Sequence, residues 1–240
     1  MTTSFYETLD GVQLTERRRI EEAYARRPHR SRYSFSEPDY VLMVEERERR
    51  LQRILQNRGH RTLEDIMILD VGCGTGRWLH TFLRWGARPE NLYGVDFLPD
   101  RIAQARGSCP AGVTLKCQDA TCLEFEDSAF DLVLQSTVFT SILNLERKQQ
   151  LAREMVRVLR PGGIVVWYDF YLNNPRNPDV KGVGKRELRQ LFPGCGIVLT
   201  RLTLAPPLGR RVAPISRSLY RALSCFSLLR THYLGIISRP

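Results

Sequence analysis

Three glycines and an acid at the end of an apolar run form the segment of this chain best suited to hold a ligand. The run covers 66–69 and ends in Asp70, and Gly72, Gly74 and Gly76 follow on alternate positions. A short continuous apolar run predicts a buried parallel strand. Glycines just beyond it let the backbone approach a ligand where a side chain would clash. The helix expected next presents free N–H groups to the same ligand.

The spacing of these glycines disfavours a nicotinamide dinucleotide. Gly72, Gly74 and Gly76 make G-x-G-x-G, whereas the dinucleotide fingerprint places its third glycine one residue later. A second apolar segment, 91–96, ends in Asp96. This acid lies about as far beyond the glycine turn as a ribose-binding carboxylate should. The sequence therefore predicts a nucleoside ligand without a pyrophosphate, held between two neighbouring strand ends.

The elements that position these residues alternate between strand and helix. Hydrophobic patterns predict further strands at 113–117, 130–135, 164–169, 197–204 and 233–238, and helices at 40–55, 100–106, 146–159, 185–192 and 215–229. Such a series predicts an α/β fold with a doubly wound, mostly parallel seven-stranded sheet, which binds ligands beyond the carboxyl ends of its strands. Residues 1–61 are expected to form an N-terminal helical lid or substrate cap, and 62–240 the ligand-binding domain.

Residues 69–76, Leu-Asp-Val-Gly-Cys-Gly-Thr-Gly, resemble the first motif of the class I S-adenosylmethionine-dependent methyltransferases. Later segments are similar to that family in the same order: 94–97, 118–120, 130–135 and 159–164. The resemblance covers about 63–198. It implies a Rossmann-like sheet with an antiparallel last strand, S-adenosyl-L-methionine as the cofactor, and methyl transfer as the reaction.

The resemblance also implies a role for each residue of the site. Asp96 would bind the ribose hydroxyls, Phe97 would flank the adenine, and Asp70 would anchor the ammonium of the cofactor tail. The glycines would leave space for the cofactor tail, Asp119 and Ala120 would contact the adenine, and Gln135 would line the pocket. The expected cofactor-binding residues are Asp70, Gly72, Cys73, Gly74, Gly76, Asp96, Phe97, Asp119, Ala120 and Gln135.

Two residues are candidates for a general base, which helps chiefly when the methyl acceptor is a hydroxyl. Asp169 ends the fifth predicted strand, and His29 lies in the N-terminal lid. The lid and the loop 173–178 are expected to select the substrate, because tyrosine, arginine and asparagine suit hydroxyl-rich or anionic ligands. The lid residues concerned are Tyr24, His29, Arg30, Arg32, Tyr33 and Tyr40. We therefore expect O-methylation of a small-molecule or glycan-type acceptor.

The distribution of charged residues is compatible with other functions as well. The net charge is +10, and 201–240 contains seven arginines and no acid. This points to an acidic partner: a nucleic acid, an anionic membrane surface, or a phosphorylated or uronic substrate. An RNA methyltransferase is the first alternative, although 135–138 reads Gln-Ser-Thr-Val where enzymes that methylate exocyclic base nitrogens carry Asn or Asp, then Pro-Pro and an aromatic residue. A non-catalytic binding module of the same fold is the second alternative.

Composition indicates a cytoplasmic protein. Of the 240 residues, 42% are hydrophobic and 26% charged, which is typical of globular proteins. No apolar stretch approaches the roughly 20 residues that span a bilayer, and the N-terminus lacks the pattern of a signal peptide. The six cysteines show no spacing typical of a metal site, so none is expected.

Overall fold

A computed structural model of the chain describes residues 11–26, 34–175 and 177–239, with side chains from residue 15 onward. Its strands are β1 (Ile68–Val71), β2 (Leu92–Asp96), β3 (Thr114–Cys117), β4 (Phe130–Ser136), β5 (Leu159–Phe170), β6 (Gly196–Leu204) and β7 (Arg230–Ser238). Its helices are α1 (Gly11–Ala25), α2 (Pro38–Asn57), α3 (Arg77–Arg84), α4 (Pro99–Ser108), α5 (Leu145–Arg157), α6 (Lys185–Leu191), α7 (Pro206–Val212) and α8 (Arg217–Ser224).

The seven strands form one sheet in the order β3-β2-β1-β4-β5-β7-β6. Strands β1 to β5 are parallel, and β7 pairs antiparallel with both β5 and β6. The predicted doubly wound sheet and its antiparallel last strand are confirmed. Because β6 then runs in the same direction as β1 to β5, the carboxyl ends of six strands lie along one side, here called the carboxyl edge.

Helices cover both faces of the sheet. On one face, Leu51 of α2, Phe82 of α3 and Ile102 of α4 pack into a buried apolar cluster with sheet residues such as Ile68. On the other face, a second cluster joins residues of α5 and α6 to β4 and β5, among them Leu151, Leu188, Val133 and Val165. Alternate residues of a strand point to opposite faces, so the continuous apolar strands predicted from the sequence are those buried on both sides.

The helix predicted over 215–229 is shorter in the structure. Within those bounds lie α8 and a short 3₁₀ turn at Ser227–Leu229. Ser216 begins α8 by accepting a hydrogen bond on Oγ from the Leu219 N–H at 3.2 Å. Helix α7, which precedes this segment, was not predicted; Pro206 begins it, a position that suits proline because the N–H it lacks has no helical partner.

Candidate functional site

The glycine turn after β1 is fixed to the end of β2. The N–H groups of Gly72 and Cys73 both donate to the Val95 carbonyl oxygen, at 2.8 and 2.9 Å. Gly72, Gly74 and Gly76 have φ values of 70°, 56° and 83°, a region that other residues rarely adopt. A Cβ on Gly72 would lie 2.4 Å from Val138 Cγ2. The backbone conformation therefore favours glycine at all three positions, and at residue 72 the lack of space requires it as well.

Asp96 closes the same turn from the β2 side. Its Oδ2 accepts a hydrogen bond from the Gly74 N–H at 2.9 Å, and its Oδ1 accepts one from the Leu98 N–H at 3.0 Å. Burial raises the pKa of this carboxyl group, although the Leu98 and Gly74 N–H groups favour its charged form. Each oxygen keeps a lone pair, so the group can still accept hydrogen bonds from two neighbouring hydroxyls.

Asp70 presents a buried oxygen that lacks a donor. The side chain is 1% exposed, and its Oδ2 has no hydrogen-bond partner within the described ranges. Burial, then the nearby Asp96 carboxylate, raise the pKa of Asp70 well above its usual range, and Arg47 partly opposes them. An unsatisfied buried carboxylate is costly. It fits a cationic group such as the ammonium of the expected cofactor.

Both carboxylate oxygens of Asp119 form hydrogen bonds within the protein, which the sequence does not predict. Its Oδ1 accepts hydrogen bonds from the Thr121 N–H and Oγ1 at 2.9 and 2.7 Å, and its Oδ2 pairs with Arg147 Nη2 at 2.5 Å. Burial raises its pKa, but Arg147 and Thr121 together outweigh burial and leave the pKa lowered. The carboxylate is therefore held charged by the protein itself. Its expected contact with the adenine amino group stays a prediction.

Phe97 and Ala120 are the other two residues expected beside the adenine. Phe97 is partly buried, and the Arg17 guanidinium lies over its ring at 5.8 Å from the ring centre. Ala120, three residues after β3, packs against the core. On Arg147, the partner of Asp119, Nε and Nη1 are buried without a partner among the residues described. No sequence motif indicated these unpaired donors.

Cys73 contributes its backbone to the turn, while its side chain belongs to the core. Its Sγ would lie 2.9 Å from a Cβ on Gly94, so β2 and the turn approach closely only because residue 94 is glycine. Burial raises the pKa of the Cys73 thiol. A thiol that stays protonated is a poor nucleophile. The side chain of Cys73 is therefore a packing group.

Asp169 and Gln135 lie on the adjacent strands β5 and β4. Asp169 is 1% exposed, and its Oδ1 accepts a hydrogen bond from Thr140 Oγ1 at 2.5 Å. Burial raises the pKa of Asp169 to about 7, although the hydrogen bonds from Thr140 and the charge of Lys148 favour its charged form. In the described ranges, Asp169 Oδ2 and Gln135 Nε2 lack hydrogen-bond partners. The second candidate base, His29, lies outside the described residues, as do Arg30, Arg32 and Tyr33.

Sequence reasoning missed a buried arginine on α2. Arg47 is 5% exposed, and its guanidinium lies 4.5 Å from the ring centre of Trp78 and 4.8 Å from that of Tyr168. Its Nη1 donates to Ser136 Oγ at 3.2 Å. In the sequence, this residue stands among the many charges of α2 and has no local signal. Only the fold brings it to the carboxyl edge beside Asp70.

Helix α1 packs against the segment that follows β4 at the carboxyl edge. Glu16 Oε1 accepts a hydrogen bond from the Leu143 N–H at 2.6 Å, and Arg19 Nη2 donates to the Ser141 carbonyl at 2.6 Å. Tyr24 of the same helix stacks against Arg101 at 4.7 Å. A cavity of about 170 Å³ lies between α1 and the loops after β4 and β5. The role of 1–61 as a lid over the substrate stays a prediction.

Residues 68–163 match the family model described as "Methyltransferase domain". Among curated relatives, the 2-methyl-6-phytyl-1,4-hydroquinone methyltransferase of Synechocystis is 32% identical over 128 residues, covering 52% of this chain and 38% of the relative. The sterol 4-C-methyltransferase strm-1 of Caenorhabditis elegans is 30% identical over 139 residues, covering 56% and 40%. This chain thus spans less than half the length of either relative.

Solved structures share the fold. The PH0226 protein of Pyrococcus horikoshii superposes with a TM-score of 0.63 at 19% identity, covering 91% of this chain and 99% of that one. A Mesorhizobium loti S-adenosylmethionine-dependent methyltransferase gives a TM-score of 0.57 at 17% identity, covering 78% and 96%. The chain therefore has the fold of these solved structures, and its residues 68–163, which contain the glycine turn, match a methyltransferase domain.

Proposed function

We propose that this chain transfers a methyl group from S-adenosylmethionine to a small-molecule acceptor. The observation that carries the proposal is the pairing of two acids at one turn. Asp96 holds the Gly74 N–H, and the adjacent Asp70 offers a buried oxygen without a donor. A ligand with vicinal hydroxyls at one end and an ammonium at the other satisfies both groups.

The task of the protein in this reaction is alignment. The cofactor, when bound, supplies a methyl carbon activated by a positively charged sulfur. Asp70 and Asp96 would fix its tail and ribose, and α1 would exclude water above it. Holding the reacting groups in line can contribute on the order of 7–11 kcal/mol to lowering the barrier. Positioning therefore accounts for more of the rate than any single acid or base.

For the acceptor atom, we propose a hydroxyl oxygen of a small-molecule or glycan-type compound. Support comes from Asp169, because a carboxyl group whose pKa is about 7 can take a proton from a hydroxyl near neutral pH. A ring carbon of a quinone-type acceptor is the second candidate, because relatives named as methylating hydroquinones and sterols match this chain. Mass spectrometry and NMR of the product formed with isotope-labelled cofactor would distinguish an ether from a new carbon–methyl bond.

The direct test of the proposed activity is methyl transfer from labelled S-adenosylmethionine to acceptor panels of hydroxylated small molecules, glycans and hydroquinones. Stable incorporation of label into one panel, with equimolar formation of S-adenosylhomocysteine, is the expected result. Tight cofactor binding with no transfer to any panel would contradict the proposed activity. That outcome would favour a binding module of the same fold.

Replacing Asp169 by asparagine should lower turnover by about a hundredfold or more, because a general base contributes roughly a hundred- to ten-thousand-fold. Affinity for S-adenosylhomocysteine should be unchanged. In the wild type, turnover should rise with pH through about 7, where the Asp169 carboxyl group loses its proton. Steady-state kinetics across pH measure both effects.

Thr140→Val is the matched variant for Asp169. It keeps the carboxylate but removes the hydrogen bond to Oδ1, so the pKa of Asp169 and the rise of turnover should both move to higher pH. An Asp169→Asn enzyme with normal turnover and the wild-type pH profile would remove this residue from the role of base.

Cofactor binding should release a proton, and Asp70 should be a source of it. The pKa of Asp70 is raised in the unliganded protein, and a bound ammonium would stabilise its charged form, so affinity should increase with pH. Calorimetry of S-adenosylhomocysteine at mildly acidic pH, in two buffers of different ionisation enthalpy, measures the protons released. Asp70→Asn should release fewer protons than the wild type, and Asp100→Asn the same number. Equal release by all three proteins would show that the ammonium does not bind at Asp70.

A further inference from the structure

Helix α8 and the residues just before and after it expose large apolar side chains. Their exposed fractions are 87% for Leu228, 80% for Ile215, 62% for Phe226 and 46% for Leu219. All four fall within 206–229, here called the α7–α8 surface. Single exposed apolar residues are common on proteins, but four within fourteen consecutive residues mark a surface that favours a less polar neighbour than water.

Leu219 lies on the outer side of α8 because the opposite side of this helix is packed against the domain. Tyr220 and Ser224, one helical turn apart, are buried, and Tyr220 joins a small core with Leu42 of α2 and Leu204 of β6. Leu219 and Ala222 of the same helix are exposed. Helix α8 is therefore amphipathic and is anchored to the domain by its inner face.

Basic residues surround these apolar groups. Arg210, Arg211, Arg217 and Arg221 are exposed, and no acid occurs in 201–240. Arg221 lies 3.8 Å from Glu45 with both side chains partly exposed, a pair that contributes little. Arg211 and Arg217 form no ion pair with any residue that the structure describes. Arg210 interacts with the nearby Asp39 carboxyl group, so Arg211 and Arg217 supply the uncompensated positive charge of this surface.

The other arginines of the basic end have internal roles. Arg230 Nη1 donates to the Arg201 carbonyl at 2.8 Å, and Arg239 Nη1 donates to the Leu159 carbonyl at 2.7 Å. The Arg201 guanidinium lies 5.5 Å from the ring centre of Tyr171. The seven arginines noted in the sequence thus divide into three that hold the sheet together and four that face outward beside apolar groups.

The α7–α8 surface lies at the same edge of the sheet as the candidate site. It follows β6, which runs parallel to β1 to β5, so the chain leaves β6 at the carboxyl edge. Gly209 of α7 packs against Tyr220 and Asp39, the latter at the start of α2. The next residue of α2, Tyr40, hydrogen-bonds Arg77 directly after the glycine turn.

We propose that the α7–α8 surface docks onto an anionic lipid bilayer. Exposed apolar side chains at a membrane interface insert among the acyl chains, and arginines beside them contact the phosphates. This surface has both components, and no helix among the described residues is long and apolar enough to cross a membrane. Docking here turns the carboxyl edge toward the bilayer, and it does not depend on the proposed methyl transfer.

A nucleic acid fits this surface less well than a membrane. Phosphates of RNA would satisfy the arginines, but aliphatic Ile215 and Leu228 would gain nothing from a polar backbone, and single strands are held mainly by stacking on aromatic rings. Phe226 is the one aromatic residue among the four exposed apolar groups. The combination of aliphatic and basic groups favours lipid.

The test is flotation of the purified chain with vesicles, without cofactor. We expect binding to phosphatidylcholine vesicles that contain about a third phosphatidylglycerol, weaker binding at high salt, and little binding to pure phosphatidylcholine. Absence of binding to the anionic vesicles at low salt would overturn the proposal. So would retention of binding to an RNA oligonucleotide when anionic vesicles compete, or gel filtration showing a dimer that Ile215→Asn/Leu228→Asn converts to a monomer.

Two double variants test the electrostatic and the apolar contributions to vesicle binding separately. Arg211→Glu/Arg217→Glu should weaken vesicle binding at least tenfold, because each arginine near an anionic surface contributes about fivefold. Ile215→Asn/Leu228→Asn should lose a comparable factor that salt does not change. Arg153→Glu/Arg189→Glu, with the same charge change on exposed residues of α5 and α6, and Val198→Asn, at a 66% exposed apolar site of β6, are the controls. Equal loss in the controls would show that the α7–α8 surface is not the docking site.

Discussion

Asp96→Ala should weaken S-adenosylhomocysteine binding by about ten- to hundredfold, the range expected when hydrogen bonds to a charged group are lost. Two effects contribute to the loss. The ribose hydroxyls lose their acceptor, and the Gly74 N–H loses the oxygen that holds the glycine turn at 2.9 Å. Isothermal titration calorimetry measures the affinity, and thermal unfolding shows whether the variant is folded.

Asp100→Ala is the matched control for Asp96. Asp100 is an exposed acid in the first turn of α4, four residues further along the chain, so its removal changes the net charge equally without touching the turn. Its affinity for the ligand should equal that of the wild type. Unchanged affinity in Asp96→Ala as well would show that the ribose is held elsewhere.

Gly74→Ala should abolish measurable cofactor binding while leaving the protein folded. Among described residues, the only heavy atom within 4 Å of a Cβ at this position is Arg101 Nη1 at 3.2 Å, the mobile end of a flexible side chain. The new methyl group would therefore be accommodated by the protein but would stand where the cofactor tail is expected. The positive φ of 56° adds a backbone strain of about 1–2 kcal/mol.

Gly86→Ala is the control that introduces the same kind of backbone strain without obstructing the expected site of the cofactor tail. Gly86 follows α3 with a φ of 89°, and a Cβ there would contact no atom of the described residues within 4 Å. Both variants should lose similar stability in urea denaturation, and Gly74→Ala alone should lose affinity. If the two variants bound S-adenosylhomocysteine equally well, the space above Gly74 would not be the tail site.

The cofactor side of the site was readily predicted because its signals are local. A strand, a turn with three glycines and a second strand ending in Asp96 all lie within 66–96. Each of these residue types is needed there for a direct physical reason. The doubly wound, mostly parallel sheet follows from the alternation of strands and helices, whereas the order of the strands comes from the structure. The fold inferred from these motifs is confirmed, and residues 68–163 match a methyltransferase domain.

Contacts between distant segments could not be predicted. Arg47 reaches Ser136 across 89 residues of sequence, and Arg147 reaches Asp119 across 28. In the sequence both arginines look like solvated charges on amphipathic helices, because hydrophobic periodicity carries no information about which charged residue is buried. The end of α8 was missed for a different reason: the apolar pattern of 215–229 continues beyond Ser224, where the helix ends.

The central claim is that the carboxyl ends of β1, β2 and β3 hold one adenosyl ligand. A crystal structure of the chain with S-adenosylhomocysteine tests it most directly. We predict the ribose hydroxyls within hydrogen-bonding distance of Asp96, the ammonium at Asp70 Oδ2, and the adenine beside Phe97 and Ala120. Ligand density at any other place, with Asp70 and Asp96 left without contacts to it, would contradict the account.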